Sequence, residues 1–468
     1  MDDGPTGTER LAAFALGLHA EDVPAEVGAA ARLHALDTVG CALAGWALGV
    51  GDEGVAAARE ECPRGPASTV GHQNGLPPAA AALANGMLAH GLDFDDTHAG
   101  AIVHVGAVIV PAALAAAEAH GASGAELQTA IVAGGEVFVR LAAAAPSAFH
   151  ARGFHPTSVC GVFGATVAVA RLRGLDPERT VHALGIAGSM ASGLFAHLSD
   201  GSATKRVHPG WAAHGAHHAV ALAAHGASGP AAVLEDRFGL YATHVPRVEP
   251  ALRAELADLG SRWETLRVAF KPYPACHFLH ACVDAAAAAA GGNGVRVEAG
   301  AIAEIVAQVP EAAVPIVLEP AAAKVAPRSP YDAKFSLQYS VAAMLVHGEV
   351  DVRSYTPAAI ADADVLELAR RVRYEAHDFA TYPGAFPGAV RIRTHDGREL
   401  TAELPHQRGA PEHPLTGDEV RAKFGTNAGL ALPDDAVALL EQALLGVDAV
   451  SDVRGAFTAL GSAGRAAG

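Results

Sequence analysis

The stretch PPAAAALANGMLAH, residues 77–90, is typical of the segments from which most of this chain is built. Two prolines open it, and proline is favoured at the first position of a helix because its missing N–H is not needed there. Alanine, the strongest helix former, then recurs without any charged residue. Similar Ala-rich segments, separated by Gly, Pro and Asp, run from Thr8 to about Arg267. The sequence therefore predicts a mainly α protein whose helices approach closely through small side chains.

The pattern changes near Phe270. Residues 302–309 (IAEIVAQV) are typical of a strand, and residues 390–393 and 400–404 alternate with period two around Asp396-Gly397. Such alternation around Asp-Gly predicts a β-hairpin. Helical patterns lie between these strands, at about 333–347 and 357–372.

A chain of 468 residues is too long for one ordinary hydrophobic core. We therefore expect a helical domain over residues 1–267 and a smaller α+β domain over residues 268–407. The C-terminal helices, residues 408–468, are expected to pack back on the first domain.

The formal net charge of −17 excludes nucleic acid and anionic membranes as partners on electrostatic grounds. An acidic protein that binds an acidic small molecule must concentrate its cations locally. Lysine is rare against many arginines, so each lysine is a candidate for a specific role. The lysines are Lys205, Lys271, Lys324, Lys334 and Lys423.

Five scattered cysteines without a C-x-x-C pair favour free thiols in a reducing compartment. The N-terminus is acidic and lacks the basic region of a signal peptide. The longest apolar run, Ile102 to Ala117, contains a histidine and a proline and is too short to span a membrane. We expect a cytoplasmic protein in which this run is a buried helix.

Candidate chemistry begins in the segment HGLDFDDTH, residues 90–98. If the preceding helix continues, His90, Asp93 and Thr97 fall on one face. A carboxylate held against imidazoles can be tuned as a base by burial and by its neighbours. The alternative is a polar helix end whose other two aspartates are solvated or cap the next helix. His104 follows inside the apolar run, where a lone histidine is usually a packed core residue.

Two further segments carry histidines and cations before helices. His155, in GFHPTSVCG at 153–161, precedes a helix whose N-terminal N–H groups could receive a carboxylate, although it could equally be a cap. Lys205 and Arg206 lie in a Gly/Ser loop and form either an anion clamp or a solvated basic loop. In the helix that follows, His214 and His218 have the i, i+4 spacing of two zinc ligands. No H-E-x-x-H arrangement or third ligand lies nearby, so surface or packing histidines, His217 among them, are favoured over a metal site.

The last two segments are KPYPACHFLH at 271–280 and SPYDAKFSLQY at 329–339. Two prolines fix an extended turn directly after Lys271, at the expected domain boundary, where a lysine could close over a ligand. An ordinary turn and an ordinary helix start are the alternatives.

Together these segments resemble the MmgE/PrpD family. They occur in the family's order, and the matching pieces are HGLDFDDTH at 90–98, GFH at 153–155, TKRVH at 204–208, KPYPAC at 271–276 and DAKFS at 332–336. The resemblance implies a large all-helical domain built from both chain ends, a smaller α+β lid and a homodimer. It also implies catalysis in the cleft between the domains without a metal or other cofactor.

By motif position, the resemblance also implies the residues of the site. The catalytic candidates are Asp93, His104, His155, Lys205 and Lys271. The substrate-binding candidates are Thr97, His98, Arg206, His208 and Tyr339.

The chemistry shared by this family is a carbanion beside a carboxylate, stabilised by fixed cations and imidazolium donors where water is excluded. Lys205 and Lys271 are expected to hold carboxylates of a small di- or tricarboxylate, His155 to donate to the developing charge, and Asp93 or His104 to transfer the proton. Our first expectation is a hydro-lyase similar to 2-methylcitrate dehydratase. The alternatives are a cis-aconitate-type decarboxylase and an epimerase of an aminodicarboxylate such as iminodisuccinate. A non-catalytic helical dimer and a metal hydrolase built on His214 and His218 are weaker readings.

Overall fold

The computed structural model describes residues 4–199, 202–291, 297–382 and 384–466. The chain forms two compact units, the larger one Met1–Val268 with Thr416–Gly468 and the smaller one Ala269–Leu415. The expectation of a mainly α protein is confirmed.

The helices and strands follow one another along the chain with short 3-10 turns between several of them. The α-helices are α1 (Gly7–Gly17), α2 (Ala25–Ala47), α3 (Glu53–Glu61), α4 (Pro78–Gly91), α5 (Gly106–His120), α6 (Gly124–Ala143), α7 (Ala148–Ala151), α8 (Pro156–Val159), α9 (Gly161–Arg173), α10 (Pro177–Gly188), α11 (Val207–Ala224), α12 (Leu240–His244), α13 (Leu252–Glu255), α14 (His277–Gly291), α15 (Val314–Val317), α16 (Ala321–Val325), α17 (Pro330–Ala333), α18 (Leu337–His347), α19 (Ala363–Ala369), α20 (Gly417–Ala428) and α21 (Asp434–Leu445). The strands are β1 (Ala67–Thr69), β2 (His72–Leu76), β3 (Thr97–His98), β4 (Val268–Ala269), β5 (Ile302–Val309), β6 (Val372–Ala376), β7 (Gly388–Thr394) and β8 (Glu399–Leu404).

Small side chains set the spacing of the helices in the larger unit. A Cβ atom added to Gly86 in α4 would lie 2.7 Å from the Cα of Gly210 in α11. A Cβ added to Gly164 in α9 would lie 2.5 Å from the carbonyl oxygen of Gly134 in α6. Both distances are too short for any residue larger than glycine, so the close helix approach predicted from composition is present at these two crossings.

The apolar run that contains His104 becomes helix α5 only from Gly106 onward. Its residues from Gly106 to Glu118 are buried, as expected for a core helix. In the part of the chain that the structure describes, no helix is both long enough and apolar enough to cross a membrane.

The smaller unit is built around a four-stranded mixed sheet in the order β6-β5-β7-β8. Strand β5 pairs parallel with β6 and antiparallel with β7, and β7 pairs antiparallel with β8. The predicted β-hairpin is present, with Gly397 in its turn at a φ of 85°, a backbone conformation that glycine adopts without strain. Helix α14 packs on β7 and β8 and also contacts α18, which buries the apolar face of the sheet.

Candidate active site

Helix α4 ends at Gly91, and the chain then enters an irregular segment, residues 92–96, which we call the acidic loop. Asp93 has a φ of 53°, in the left-handed region. Non-glycine residues are uncommon there, although aspartate tolerates the region better than most. The expectation that His90, Asp93 and Thr97 share one helical face is therefore wrong, because the helix stops two residues before Asp93. Strain of this kind persists where surrounding contacts fix the backbone, and it is frequent at functional sites.

Asp93 forms an ion pair with Lys205, whose Nζ lies 2.9 Å from its Oδ1. Asp93 is buried, and about a fifth of the Lys205 side chain is exposed (19%). The structure therefore brings together two of the expected catalytic residues. A substrate carboxylate that binds Lys205 would compete with Asp93 for the same ammonium group.

Asp95, and not Asp93, is the carboxylate held directly against imidazoles. Its Oδ2 lies 2.8 Å from His90 Nδ1 and 3.3 Å from His104 Nδ1. The carboxylate of Asp95 is fully buried. Burial alone would raise its pKa, but the charge interactions and hydrogen bonds with His90 and His104 hold that pKa well below its usual range. Asp95 is thus an ionised acceptor that orients two rings.

Asp96 ties the acidic loop to the beginning of helix α5. Its Oδ1 accepts the backbone N–H of Gly106 at 2.8 Å, its Oδ2 lies 2.9 Å from His34 Nδ1, and its carbonyl oxygen lies 3.0 Å from His104 Nδ1. The capping alternative considered for this aspartate is therefore present, whereas the solvated alternative is wrong because Asp96 is fully buried.

A cation from the C-terminal part of the chain supports the same loop. Lys423 of α20 donates a hydrogen bond from Nζ to the carbonyl oxygen of Phe94 at 2.8 Å and lies 3.8 Å from the centre of the Phe94 ring. The same Nζ lies 2.7 Å from Asp37 Oδ1 of α2. Both side chains of this ion pair are buried, so the loop that carries Asp93 is anchored from two helices that are distant in sequence.

Three histidine rings face one another next to this loop. The ring centres of His90 and His104 are 4.5 Å apart. The ring centre of His155 lies 6.0 Å from that of His90 and 6.2 Å from that of His104. His155 Nδ1 lies 3.0 Å from Nδ1 of His208 at the start of α11. All four rings are buried. The larger unit therefore gathers His104 and His155, two of the expected catalytic residues, around His90.

Burial sets the charge state of three rings, those of His90, His155 and His208. It lowers the pKa of His90 to about 4 and that of His208 to about 4. Burial, followed by the charge of Lys205, lowers the pKa of His155 well below its usual range. Near pH 7 these three rings are neutral imidazoles in the free protein, because the buried setting disfavours the charged form.

The hydrogen bonds also assign the protons of the rings. Nδ1 of His104 faces the Asp96 carbonyl oxygen and the Asp95 carboxylate, and Nδ1 of His90 faces Asp95. Both partners are acceptors, so Nδ1 carries the hydrogen in each ring, and in the neutral ring of His90 the Nε2 atom keeps a lone pair. Nε2 of His90 is buried and has no hydrogen-bond partner among the described residues. The cluster thus offers nitrogen atoms that can accept a proton or a ligand.

The expected substrate-binding residues of the larger unit have different surroundings. Thr97 Oγ1 lies 3.4 Å from His104 Nδ1 and so belongs to the cluster. His98 uses both ring nitrogens inside the protein, Nε2 with Glu264 Oε2 at 2.9 Å and Nδ1 with the backbone N–H of Ala101 at 3.1 Å. Its contacts are those of a structural residue. Arg206 Nη1 lies 3.5 Å from Glu53 Oε1 in a weak, partly exposed pair.

Lys271 and Tyr339 belong to the smaller unit. Lys271 is buried. Tyr339 lies in the core of its unit and donates its hydroxyl to the carbonyl oxygen of Ser354 at 2.6 Å. Burial raises the pKa of Tyr339 to about 12. Because its hydroxyl already donates a hydrogen bond inside the unit, Tyr339 has the contacts of a packing residue.

The histidines of helix α11 do not assemble a metal site in the described ranges. The rings of His214 and His218 are 4.5 Å apart, but no third ligand joins them, and His214 Nδ1 lies 3.0 Å from the carbonyl oxygen of Ala79. Burial lowers the pKa of His217 to about 3, with a backbone contact to Ala112 acting in the opposite direction. His214 and His217 are half-buried, and His218 is exposed.

Three residues of the site were not among the expected catalytic or substrate-binding residues: His90 as a ring of the cluster, Asp95 as its shared acceptor, and Lys423 as the support of the loop. The pattern H-x-x-D-x-D contained the first two, but nothing in the spacing decides which aspartate turns inward. The scarcity of lysine did mark Lys423 as a candidate.

The chain is similar to known proteins along most of its length. The MmgE/PrpD N-terminal domain matches residues 9–253, and the MmgE/PrpD C-terminal domain matches residues 273–445. A cis-aconitate decarboxylase-like protein, oryM, of Aspergillus oryzae is 27% identical over 97% of both chains. The cis-aconitate decarboxylase of Aspergillus terreus is 27% identical over 95% of this chain and 94% of its own. The human cis-aconitate decarboxylase is 31% identical over 81% of this chain and 78% of its own.

These relatives are carboxy-lyases by name, and the prediction of an enzyme of the lyase class is confirmed. They favour the decarboxylase alternative over the dehydratase that we expected first. The two domain matches together cover most of the chain, and the chain belongs to the MmgE/PrpD family.

Proposed function

We propose that the protein is a carboxy-lyase that removes CO2 from a small unsaturated tricarboxylate such as cis-aconitate. The observation that carries the proposal is the buried cluster of imidazoles beside the Lys205–Asp93 ion pair, in a chain that matches cis-aconitate decarboxylases along nearly its whole length. A cation and proton carriers in a buried site are what a carbanion beside a carboxylate requires.

The reaction balances with one proton. The C–C bond to the departing carboxylate breaks, and its electron pair forms a new double bond to the neighbouring carbon, while the pair of the original double bond shifts toward the carboxylate conjugated with it. CO2 leaves, and a proton is added to carbon, which gives an unsaturated dicarboxylate that is one carbon shorter. No oxidant, reductant or water molecule is consumed, so positioned charges and one proton donor suffice.

We assign Lys205 to a substrate carboxylate, because a carboxylate could replace Asp93 at its Nζ. His155 is the proposed proton donor. Its ring is neutral in the free protein. Bound carboxylates favour the protonated form of a nearby imidazole, so substrate binding would raise the pKa of His155 and allow it to act as the donor. His104, oriented by Asp95 and Asp96, and Asp93 are the candidates for moving the proton onward.

Lys271 is proposed as a second carboxylate-binding cation on the strength of its K-P-Y-P motif alone. We also propose, from the family resemblance, a cytoplasmic homodimer that needs no metal for turnover and whose smaller unit acts as a lid. Light scattering on the purified protein tests the dimer, and turnover in the presence of a strong chelator tests the independence from metal.

The reaction is tested by incubating the protein with cis-aconitate in deuterated water and following the mixture by NMR. We expect CO2 release and one deuterium on carbon in the shorter product. Hydration or dehydration of a methylcitrate-like acid without CO2 would favour the hydro-lyase. Loss of optical activity in a chiral aminodicarboxylate would favour the epimerase.

The site assignment is tested with His155→Gln, Lys205→Met and Lys271→Ala. Each should lower kcat/KM by at least about 100-fold, the range for removal of a proton-transfer or charge-stabilising group. The exposed His225→Gln, at the end of helix α11, is the matched control and should retain full turnover. If the first two variants fold and keep full activity, the assignment of the cluster is wrong.

A further inference from the structure

We infer that His90, His104 and His155 form a binding site for a divalent transition metal ion such as Zn²⁺, and that the bound ion blocks the proposed decarboxylation. The metal site does not depend on the proposed function, whereas its inhibitory effect rests on it. The ion would therefore be a reversible inhibitor and not a cofactor.

The distances suit such an ion. One ring nitrogen of each of the three histidines lies within 4.8 Å of one from each of the others, and all three residues are buried. In a tetrahedral zinc site the Zn–N distance is about 2.0 Å and the ring centre lies about 1.1 Å behind the nitrogen, so ring centres are about 5 Å apart. The observed separations of 4.5, 6.0 and 6.2 Å bracket this value. Side-chain shifts below about 1 Å would close the site, which is within the reach of small rotations about side-chain torsions.

The contacts of the rings engage Nδ1 of each histidine and leave Nε2 for the ion, and a histidine gives up any proton on that atom when it binds a metal. Nδ1 of His90 and of His104 already faces an acceptor, as described above, and Nδ1 of His155 is in contact with Nδ1 of His208. The nitrogen that remains on each ring is Nε2. In the case of His90 this atom is buried without a hydrogen-bond partner among the described residues, a condition that a metal ligand bond would relieve.

The surroundings also resemble those of built metal sites. Metal-binding histidines almost always donate their second N–H to a carboxylate, a carbonyl oxygen or water, which fixes the ring and strengthens the ligand. Here the carboxylate of Asp95 lies 2.8 Å from Nδ1 of His90 and 3.3 Å from Nδ1 of His104, and the carbonyl oxygen of Asp96 lies 3.0 Å from Nδ1 of His104. Three imidazoles leave one position of a tetrahedral ion open for water or for a carboxylate.

The consequence for catalysis follows from the shared atoms. A ring that coordinates a metal through Nε2 cannot accept or deliver a proton at that atom. We therefore expect stoichiometric inhibition by micromolar Zn²⁺ that a chelator reverses, while the chelated protein keeps full activity.

The experiment is a titration of the purified, chelator-treated protein with Co²⁺, followed by visible absorption, and with Zn²⁺, followed by calorimetry. Both readouts are independent of turnover. We expect one ion per chain and the strong visible bands of four-coordinate cobalt. His104→Asn and His155→Asn should abolish this binding, and Asp95→Asn should weaken it about 10- to 100-fold, the effect typical of losing a carboxylate behind a ligand.

The matched control is the double variant His214→Asn/His218→Asn, which removes the other close histidine pair. It should bind the ion as the unaltered protein does. The proposal is overturned if the unaltered protein binds no ion, if the double variant loses the ion, or if folded His104→Asn and His155→Asn keep it. Circular dichroism establishes folding, and Asp95→Asn serves as a graded second test should a histidine variant not fold. Turnover of cis-aconitate by the chelated protein tests the proposed function separately, so the two can fail independently.

Discussion

Replacement of Lys423 by methionine tests the idea that a buried ion pair supports the acidic loop. Methionine keeps most of the length of the side chain and removes its charge. The change deletes the 2.7 Å contact with Asp37, the 2.8 Å hydrogen bond to the Phe94 carbonyl oxygen and the cation–π contact with the Phe94 ring. Asp37 would be left as a buried carboxylate without its cation.

The expected cost follows from the burial of both partners. Only 7% of the Lys423 side chain and none of the Asp37 side chain is exposed. Removing one partner of such a pair costs about 3–5 kcal/mol, most of it from the charge that stays behind. Burial raises the pKa of Asp37 to about 6, although Lys423 opposes the shift. Without Lys423 the carboxyl group should take up a proton at higher pH, so the loss should be smaller at pH 5.5 than at pH 7.5.

Urea unfolding monitored by tryptophan fluorescence measures this loss, because Trp46, Trp211 and Trp263 all lie in the larger unit. The matched variant is Asp37→Asn combined with Lys423→Met, which removes both charges and should restore at least about 2 kcal/mol relative to Lys423→Met alone. The reasoning is refuted if Lys423→Met costs less than about 1 kcal/mol, or if the double variant is as unstable as the single one.

Three further changes test other parts of the structure. Burial lowers the pKa of His98 to about 4, below the usual 6.5, so the unfolded chain binds the proton more tightly than the folded one. Between pH 7 and pH 5 the unfolding free energy should therefore fall by about 2 kcal/mol more in the unaltered protein than in His98→Gln. An equal fall in the unfolding free energy of the two proteins, measured by urea titrations at both pH values, would contradict this. Gly106→Ala should cost about 1–3 kcal/mol in the same assay, because its Cβ would lie 2.2 Å from Thr38 Oγ1; a neutral effect would mean that this packing is looser than described. Tyr339→Phe should lower stability by about 1 kcal/mol through the lost bond to Ser354 and leave kcat/KM unchanged, whereas a large loss of turnover at intact stability would return Tyr339 to the substrate site.

Periodic patterns predicted the regular elements well. Strand β5 has the bounds read from IAEIVAQV, and the Asp396-Gly397 turn connects the expected hairpin. Both depend on alternation and on turn chemistry, which are local properties of the sequence. The helix expected near residues 333–347 begins later, at Leu337, because Ser336 caps it by accepting the backbone N–H of Tyr339. The preceding turn, α17, is a separate short helix.

The site was predictable in its residue types but not in its pairings. His90, Asp93 and Asp95 lie within six positions of one another, yet the end of helix α4 at Gly91 and the left-handed backbone at Asp93 decide that Asp95 meets the imidazoles. Those two features depend on tertiary contacts, among them the hydrogen bond from Lys423, which comes from a part of the chain more than three hundred residues away. Such a long-range contact cannot be predicted from the spacing of residues in the sequence.

The support from Lys423 has a consequence for biosynthesis. A ribosome makes residues 269–415, the smaller unit, before it makes helix α20. The acidic loop is therefore synthesised before helix α20 and receives its cation only when that helix emerges. Until then Asp37 lacks its ion pair with Lys423, and the acidic loop lacks the hydrogen bond from Lys423 to the carbonyl oxygen of Phe94. The order of synthesis thus delays completion of the site until helix α20 has been made, and a nascent chain stalled before helix α20 should be inactive.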